Sequence, residues 1–172
     1  MVLADLGICR FSIGSRQKDL SFVFSAEKLF REMLKKSPKS ESDYNQAAAQ
    51  TNLGNALTEI GKRQGNPTIL HEALELYTLV LKVLKKEKTS QDYVSTLMNI
   101  AGVHLALGEI NKDAELLRNA IDRYFEALAL IPKEDEVEKW SEANLGLAIA
   151  KRGLGRVTKD AASFDQAESH YE

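Results

Sequence analysis

The chain has 172 residues, of which 44% are hydrophobic and 28% charged, and its formal net charge is -2. This composition is typical of a globular domain and argues against intrinsic disorder. The near-neutral charge provides no basic field to attract nucleic acid or an anionic membrane. No apolar run approaches the ~20 residues needed to cross a bilayer, and the first residues lack the basic start and apolar core of a signal peptide. We therefore expect a cytoplasmic protein with no nucleic-acid or membrane partner.

A short motif occurs four times along the chain. It consists of Asn or Asp, an apolar residue, and Gly or Ala, with a second glycine nine residues after its first position. Such a recurrence at a nearly fixed interval indicates a stacked repeat array. The four copies begin at Asp5, Asn52, Asn99 and Asn144, and their closing glycines, Gly14, Gly61, Gly108 and Gly153, are separated by 47, 47 and 45 residues.

Both sides of each closing glycine have helical periodicity and no alternating strand pattern. The sequence therefore predicts eight helices, in which each repeat has a first helix (A) and a second helix (B). We expect the A helices to end near the closing glycines, within about 2–4 residues, since glycine readily adopts the left-handed conformation that terminates a helix. The predicted A helices cover about 2–14, 41–61, 90–108 and 134–153, and the predicted B helices about 17–36, 67–87, 112–131 and 159–172.

Capping residues support this division into pairs. Asn66 followed by Pro67 predicts the start of the second B helix, and Asn111 is the predicted cap of the third. Proline ends the first and third B helices, at positions 38 and 132, because it disfavours helix in the residue before it. Each B helix also carries a small residue and, four positions later on the same face, an aromatic one. These pairs are Ala26 and Phe30, Ala73 and Tyr77, Ala120 and Tyr124, and Ala167 and Tyr171.

No residue pattern in the chain indicates catalysis, a cofactor or a metal. The single cysteine, Cys9, aligns with Ala56, Val103 and Ala148 in the other repeats, so we expect it to be a small core residue. The three histidines have no second histidine or cysteine at ligand spacing. The glycines lie near helix ends and not in a phosphate-binding loop after a strand. We therefore predict that the protein is not an enzyme.

The repeat resembles the tetratricopeptide repeat, in the variety whose A helices carry Asn-Leu-Gly-Asn. The first and third repeats carry its characteristic positions as Gly7, Gly14, Ala26, Phe30, Met33 and Pro38, and as Ala101, Gly108, Ala120, Tyr124, Ala127 and Pro132. The chain departs from the common form in two respects. The closing glycine and the small B residue are 12 residues apart in the second and third repeats, where the common form has five, and Gly153 and Ala167 are 14 apart.

This resemblance implies an all-α fold, a right-handed superhelical solenoid of antiparallel helix pairs. We expect one array over 1–172, with repeats at approximately 1–40, 41–88, 89–133 and 134–172. We expect the first and last repeats to be incomplete, since only four residues precede Asp5 and one follows Tyr171. By the same resemblance the A helices line a concave groove that binds a peptide or a partner helix. The asparagines are predicted to bind because an amide offers both donor and acceptor to a peptide backbone. The full set of residues predicted to line the groove is Asn52, Asn99, Asn144, Asn55, Thr51, Ser95, Met98 and Trp140.

Several alternatives remain open at this stage. The asparagines could instead hold neighbouring helices in register, and Trp140 could pack on the preceding B helix. The chain could also be the regulatory part of a larger protein whose effector domain lies elsewhere. A third possibility is a structural module that self-associates through exposed repeat ends, since stacked repeats bury their faces on neighbours.

Overall fold

The structure is a computed structural model that describes residues 2–36, 43–85 and 91–158. In these ranges the chain forms seven α-helices and no β-strand, which confirms the all-α prediction. None of these seven helices combines the length and apolar content needed to cross a bilayer. The predicted fourth B helix, 159–172, lies outside the described residues. The helices are α1 (Val2–Gln17), α2 (Leu20–Lys36), α3 (Asp43–Gln64), α4 (Pro67–Leu84), α5 (Gln91–Asn111), α6 (Ala114–Leu128) and α7 (Val137–Thr158).

The chain divides into two compact units, 1–86 and 87–172. In unit 1, α1 packs on α2, α3 packs on α4, and α2 also contacts α3. In unit 2, α6 packs on both α5 and α7, and α5 contacts α7. The odd-numbered helices are the A helices of the sequence repeat, and α2, α4 and α6 are the B helices.

The A helices end near the closing glycines, as predicted, but the glycines themselves are not the residues that terminate them. Helices α1, α3 and α5 each continue three residues beyond the glycine. The next position is left-handed whether or not it is glycine: φ is 57° at Lys18, 59° at Gly65 and 53° at Lys112. One residue later a backbone N–H donates to the carbonyl of the closing glycine, at 2.9 Å in all three copies. This is the Schellman arrangement, with the closing glycine three positions inside the helix end.

The closing glycines are required for close approach between an A helix and its B helix. A β-carbon at Gly61 would lie 2.7 Å from Cγ of Leu70, and one at Gly108 would lie 2.7 Å from Cγ of Leu117. Both leucines are fully buried. A methyl group at either glycine would therefore force the two helices apart.

The residue that completes each Schellman arrangement also caps the next helix. The side chain of Asn66 accepts hydrogen bonds from the backbone N–H groups at the start of α4, as the sequence predicts. For α6 the cap is Asp113, and the prediction of Asn111 is wrong because that residue still belongs to α5. Asp19 accepts from the N–H of Ser21 at 2.8 Å, and its hydrogen bonds with Ser21 lower the pKa of the Asp19 carboxyl. One short polar residue thus fixes the turn between A and B in each pair.

The burial pattern of α7 corrects the spacing of the fourth repeat. In α3 the residues Ala49, Leu53 and Ala56 are buried, and in α7 the buried residues are Ala143, Leu147 and Ala150. The two sets differ by 94 positions, which is twice 47. Gly155 is also buried and lies 47 residues after Gly108. Gly155, and not Gly153, is therefore the equivalent of the other closing glycines. Gly155 lies 12 residues before Ala167, the same separation as between the closing glycine and the small B residue in the second and third repeats. The separation of 14 residues counted from Gly153 therefore does not indicate an insertion.

Cys9 is exposed, which corrects its prediction as a core residue. Its equivalents at the 47-residue interval are Ala56, Val103 and Ala150, and each of them is fully buried. The neighbouring Leu6 is 41% exposed, whereas its equivalent in α3, Leu53, is 3% exposed. Helix α3 packs on both α2 and α4, whereas the main contact of α1 is with α2.

Candidate functional site on the A helices

Each A helix has one side that neighbouring helices cover only in part. In α3, the side with Gly54 and Gly61 faces α4, and the side with Leu53 and Ala56 is buried. The remaining side carries half-buried residues, and we call it the open face. At the 47-residue interval the open face comprises Thr51, Asn52 and Asn55 in α3, Met98, Asn99 and Gly102 in α5, and Leu145, Gly146 and Ile149 in α7.

In unit 1 the open face contains amide and hydroxyl groups that are partly used within the fold. The hydroxyl of Tyr77 donates to Oδ1 of Asn55 at 2.7 Å, and burial raises the pKa of that tyrosine. The hydroxyl of Thr51 donates to the carbonyl of Ala47, one turn earlier, at 2.9 Å. Asn55 and Thr51 therefore lie on the predicted face, but each has a structural partner there. Asn52 is half-buried on the same face.

In unit 2 the open face is more apolar. Met98 and Asn99 lie on it in α5 and are half-buried, as is the predicted Ser95 one turn earlier. Helix α7 contacts α5 and contributes Leu145, whose side chain is 47% exposed. Beside it, Ile149 is half-buried.

A glycine brings α7 close to α6 at the edge of this face. Any side chain at Gly146 would overlap the ring of Tyr124. Burial raises the pKa of Tyr124 to about 12. Gly146 occupies the position that holds Asn52 in α3 and Asn99 in α5, so the row of asparagines is not continued in α7.

At the 47-residue interval Asn144 and Trp140 lie off the open face; for Trp140 this is one of the two alternatives that the sequence left open. The amide of Asn144 donates to the carbonyl of Trp140, within its own helix, at 3.0 Å. At the 47-residue interval Asn144 is equivalent to Gln50 and Leu97, and not to Asn52 and Asn99. A two-residue shift turns a side chain by roughly 200° around a helix of 3.6 residues per turn. The predicted row of three equivalent asparagines is therefore wrong at its last member.

Trp140 has a different environment from the one predicted. It is half-buried, and Nζ of Lys133 lies 4.5 Å from the centre of its ring, within the range of a cation–π contact. Its equivalent in α5 is the buried Tyr93, whereas the position equivalent to Ser95 is occupied by the exposed Glu142.

The prediction missed Leu145 and Ile149 as open-face residues. The signal that could have found them is the second glycine near the end of α7, Gly155, which keeps the interval at 47 throughout the chain. Lys159 and Asp160 repeat Lys112 and Asp113 at the same interval.

The open face has the chemistry of a binding surface. Its central residues are uncharged and combine amides with apolar side chains, so it can accept both a peptide backbone and apolar side chains. No group of three His, Cys, Asp or Glu residues in the described ranges could hold a metal ion. An open depression at the start of α7 is lined by acidic residues, among them Glu136 and Glu138. Glu136 is paired there with Lys139 at 2.8 Å, and acidic residues at this end of a helix complement its dipole. No known protein-family model matches the chain, and no curated protein matches it.

Proposed function

We propose that the protein is a protein-interaction scaffold of the tetratricopeptide type, arranged as a right-handed superhelical solenoid. It binds a peptide or a partner helix on the open face of its A helices, with no catalytic step and no cofactor. The observation that carries this proposal is the exposed side chain of Leu145 on α7, the helix that packs beside the Asn99-bearing α5. Leu145 and Ile149 lie four residues apart on one face of α7, so they form an apolar strip, and a contiguous exposed apolar patch indicates a surface for another molecule.

The chemistry of unit 2 favours an uncharged segment with apolar side chains. Burial of Leu145 and Met98 under a ligand would remove apolar area from water, which stabilises a complex by about 25 cal/mol per Å². The amide of Asn99 can fix the direction of a bound backbone because it offers both a donor and an acceptor. In unit 1, Asn52 is the corresponding amide.

The test begins with selection of a binding peptide from a displayed library on the wild-type chain. Its affinity is then measured for variants by fluorescence anisotropy. Leu145→Glu should weaken binding at least tenfold, because it replaces ~1.5–3 kcal/mol of apolar contact with a charge. Asn99→Ala should weaken binding roughly two- to tenfold, the effect of ~0.5–1.5 kcal/mol for one hydrogen bond.

Two matched controls belong to this experiment. Leu79→Glu places the same charge at a side chain that is 44% exposed, but on α4, a B helix. Asn144→Ala removes an amide that bonds only within α7 among the described residues. Both controls should bind the peptide like the wild type. Unchanged affinity of Leu145→Glu, or an equal loss in Leu79→Glu, would disprove the proposal, provided that each variant keeps its helical circular dichroism.

A further inference from the structure

Helix α7 extends its open face into a continuous strip of six side chains. Successive members are alternately four and three residues apart, a spacing that places them on one side of the helix. Five of the six are exposed, and Ile149 is half-buried. We call this set the α7 strip; its members are Glu138, Glu142, Leu145, Ile149, Arg152 and Arg156.

The exposure of these positions belongs to the repeat and is not peculiar to α7. In α5, on which α6 and α7 both pack, the four central equivalents are half-buried and the two outer ones are exposed. Helices packed on an A helix therefore leave this side at least partly uncovered. The charges, in contrast, belong to α7: four of its strip residues are charged, and among the equivalents in α5 only Glu109 is. These equivalents are Gln91, Ser95, Met98, Gly102, Leu105 and Glu109.

The charges of the α7 strip are arranged symmetrically about its centre. With position 147 as the centre, the two carboxylates lie nine and five residues before it, and the two guanidinium groups lie five and nine residues after it. The two apolar residues lie two positions before and two positions after the same centre. A strip with this order is complementary to itself when a second copy of it is turned end to end.

The helix dipole explains only the outer charges of the strip. Glu138 lies in the first turn of α7 and Arg156 in the last turn, where they complement the dipole. Glu142 and Arg152 are five and six residues inside the ends of the helix. The effect of the dipole falls off within one turn, so the placement of these two inner charges needs another explanation.

We propose that the α7 strip binds the α7 strip of a second copy, with the two helices antiparallel about a two-fold axis. In this pair Leu145 of one copy lies opposite Ile149 of the other, and Glu142 lies opposite Arg152; the outer charges pair in the same way. A parallel pair would instead place like charges opposite each other, so the charges select the antiparallel direction. Since each copy contributes the same surface, the contact is isologous and closes at two copies.

The inference rests on the proposed function, because it names the helix that the open face of α7 binds. Each copy contributes only two apolar residues to the centre of the contact, and ion pairs between exposed side chains add little to affinity. The dimer is therefore weak and reversible. It covers Leu145, so a peptide bound to the open face competes with the second copy.

The first measurement is sedimentation velocity of the full chain over a wide concentration range at low ionic strength, where exposed charges are least screened. The wild-type mass should rise from monomer to dimer and no further. Glu142→Arg and Arg152→Glu each place like charges at both symmetric contacts, so each should weaken the dimer at least tenfold. The inner pair is chosen because Arg156 already pairs with Glu109 of α5 at 2.7 Å. Each substitution also gains an opposite charge four residues away within α7, which favours the helix.

The second measurement restores the charge complementarity. An equimolar mixture of the two variants should dimerise like the wild type, because every inner contact again joins opposite charges. The chain that carries both substitutions should do the same by itself. The control Arg118→Glu reverses an exposed charge on α6, a B helix, and should leave the dimer unchanged.

Several outcomes would overturn the proposal. They are a monomeric wild type, a mass that grows beyond the dimer, wild-type association in either single variant, a mixture or double variant that stays monomeric, and equal weakening by Arg118→Glu.

Peptide binding is measured on the same variants to separate this inference from the proposed function. Glu142→Arg and Arg152→Glu keep Leu145 and Asn99, so both should bind the selected peptide at least as tightly as the wild type does. Peptide affinity with a monomeric wild type would refute the second copy as the partner and leave peptide binding intact. The full dimerisation pattern without affinity for any selected peptide would refute peptide binding and leave the second copy as the partner. A peptide that binds the dimer without dissociating it would overturn the shared site.

Discussion

Three equivalent residues at the ends of A helices have left-handed backbone, and only one of them is glycine. The left-handed region places a β-carbon against the following carbonyl oxygen, at a cost of roughly 1–2 kcal/mol. Lys18 and Lys112 accept this cost because the following N–H groups bond back to the glycine carbonyls. The turn is therefore determined by these hydrogen bonds and by the cap of the next helix. A glycine at the left-handed position lowers the strain but is not required.

This comparison predicts opposite effects for exchanges at two equivalent positions. Lys112→Gly should raise the free energy of unfolding by up to about 1 kcal/mol, because it removes the strain of a β-carbon at φ 53°. Gly65→Lys should lower it by a similar amount, although no atom lies within 4 Å of the added β-carbon. Urea denaturation of both variants measures the difference. Effects of the same sign would show that the side chain contacts, and not the backbone, decide stability at this turn.

At the scale of the helix pair, the small B-helix residues set the distance between helices. Ala73 and Ala120 are fully buried at equivalent positions of α4 and α6. An alanine there allows the backbones to approach, and the aromatic one turn later fills the adjoining space. Pair geometry thus depends on volume at one position in each B helix.

Overpacking at this position should be destabilising. Ala120→Leu should lower the free energy of unfolding by roughly 1–3 kcal/mol, since a well-packed site cannot take three more carbon atoms without moving α6. Glu75→Leu on the exposed side of α4 should change it little. Thermal unfolding followed by circular dichroism compares the two. Equal melting temperatures would mean that the buried side of the B helices is wrongly assigned.

The helix pairs could be predicted from sequence, but the sequence left two registers open for α7. Small and aromatic residues four apart identify B helices because both must lie on one face. In α7, however, the motif at 144–146 has the expected residues, and both Gly153 and Gly155 could close it. Burial decides between them: the 47-residue interval aligns Leu53 with the buried Leu147, whereas the 45-residue interval would align it with Leu145, which is 47% exposed. The open face consequently includes Leu145 and Ile149, and Asn144 and Trp140 lie outside it.

The capping error at α6 has a related physical cause. Asn111 is a good cap by residue type, yet the helix end is determined by the hydrogen bond from Asp113 to the carbonyl of Gly108. Leu117 packs tightly against the same glycine, a contact between residues that sequence propensity does not relate. Residue preference alone places the cap of α6 within two residues of its position. The packing of α5 against α6 determines which residue is the cap.

At the scale of the whole molecule, the repeats contact their neighbours within each of two compact units. In a repeat array the stability is approximately a sum of local contributions and nearest-neighbour interfaces. A perturbation in one unit should therefore have its greatest effect there, and one structural position that occurs in both units can test this.

Leu70 in α4 and Leu117 in α6 form a matched pair for that test. They are 47 positions apart, both are fully buried, and each lies against the closing glycine of its own A helix. Leu→Ala at either site should destabilise the packing by about 2–5 kcal/mol, through lost apolar contact and a residual cavity. Native-state hydrogen exchange should show the larger loss of protection in α3 and α4 for Leu70→Ala, and in α5 to α7 for Leu117→Ala. An identical loss of protection over all helices in both variants would show that the chain unfolds as one cooperative body. The stability of the chain would then not be a sum of local contributions.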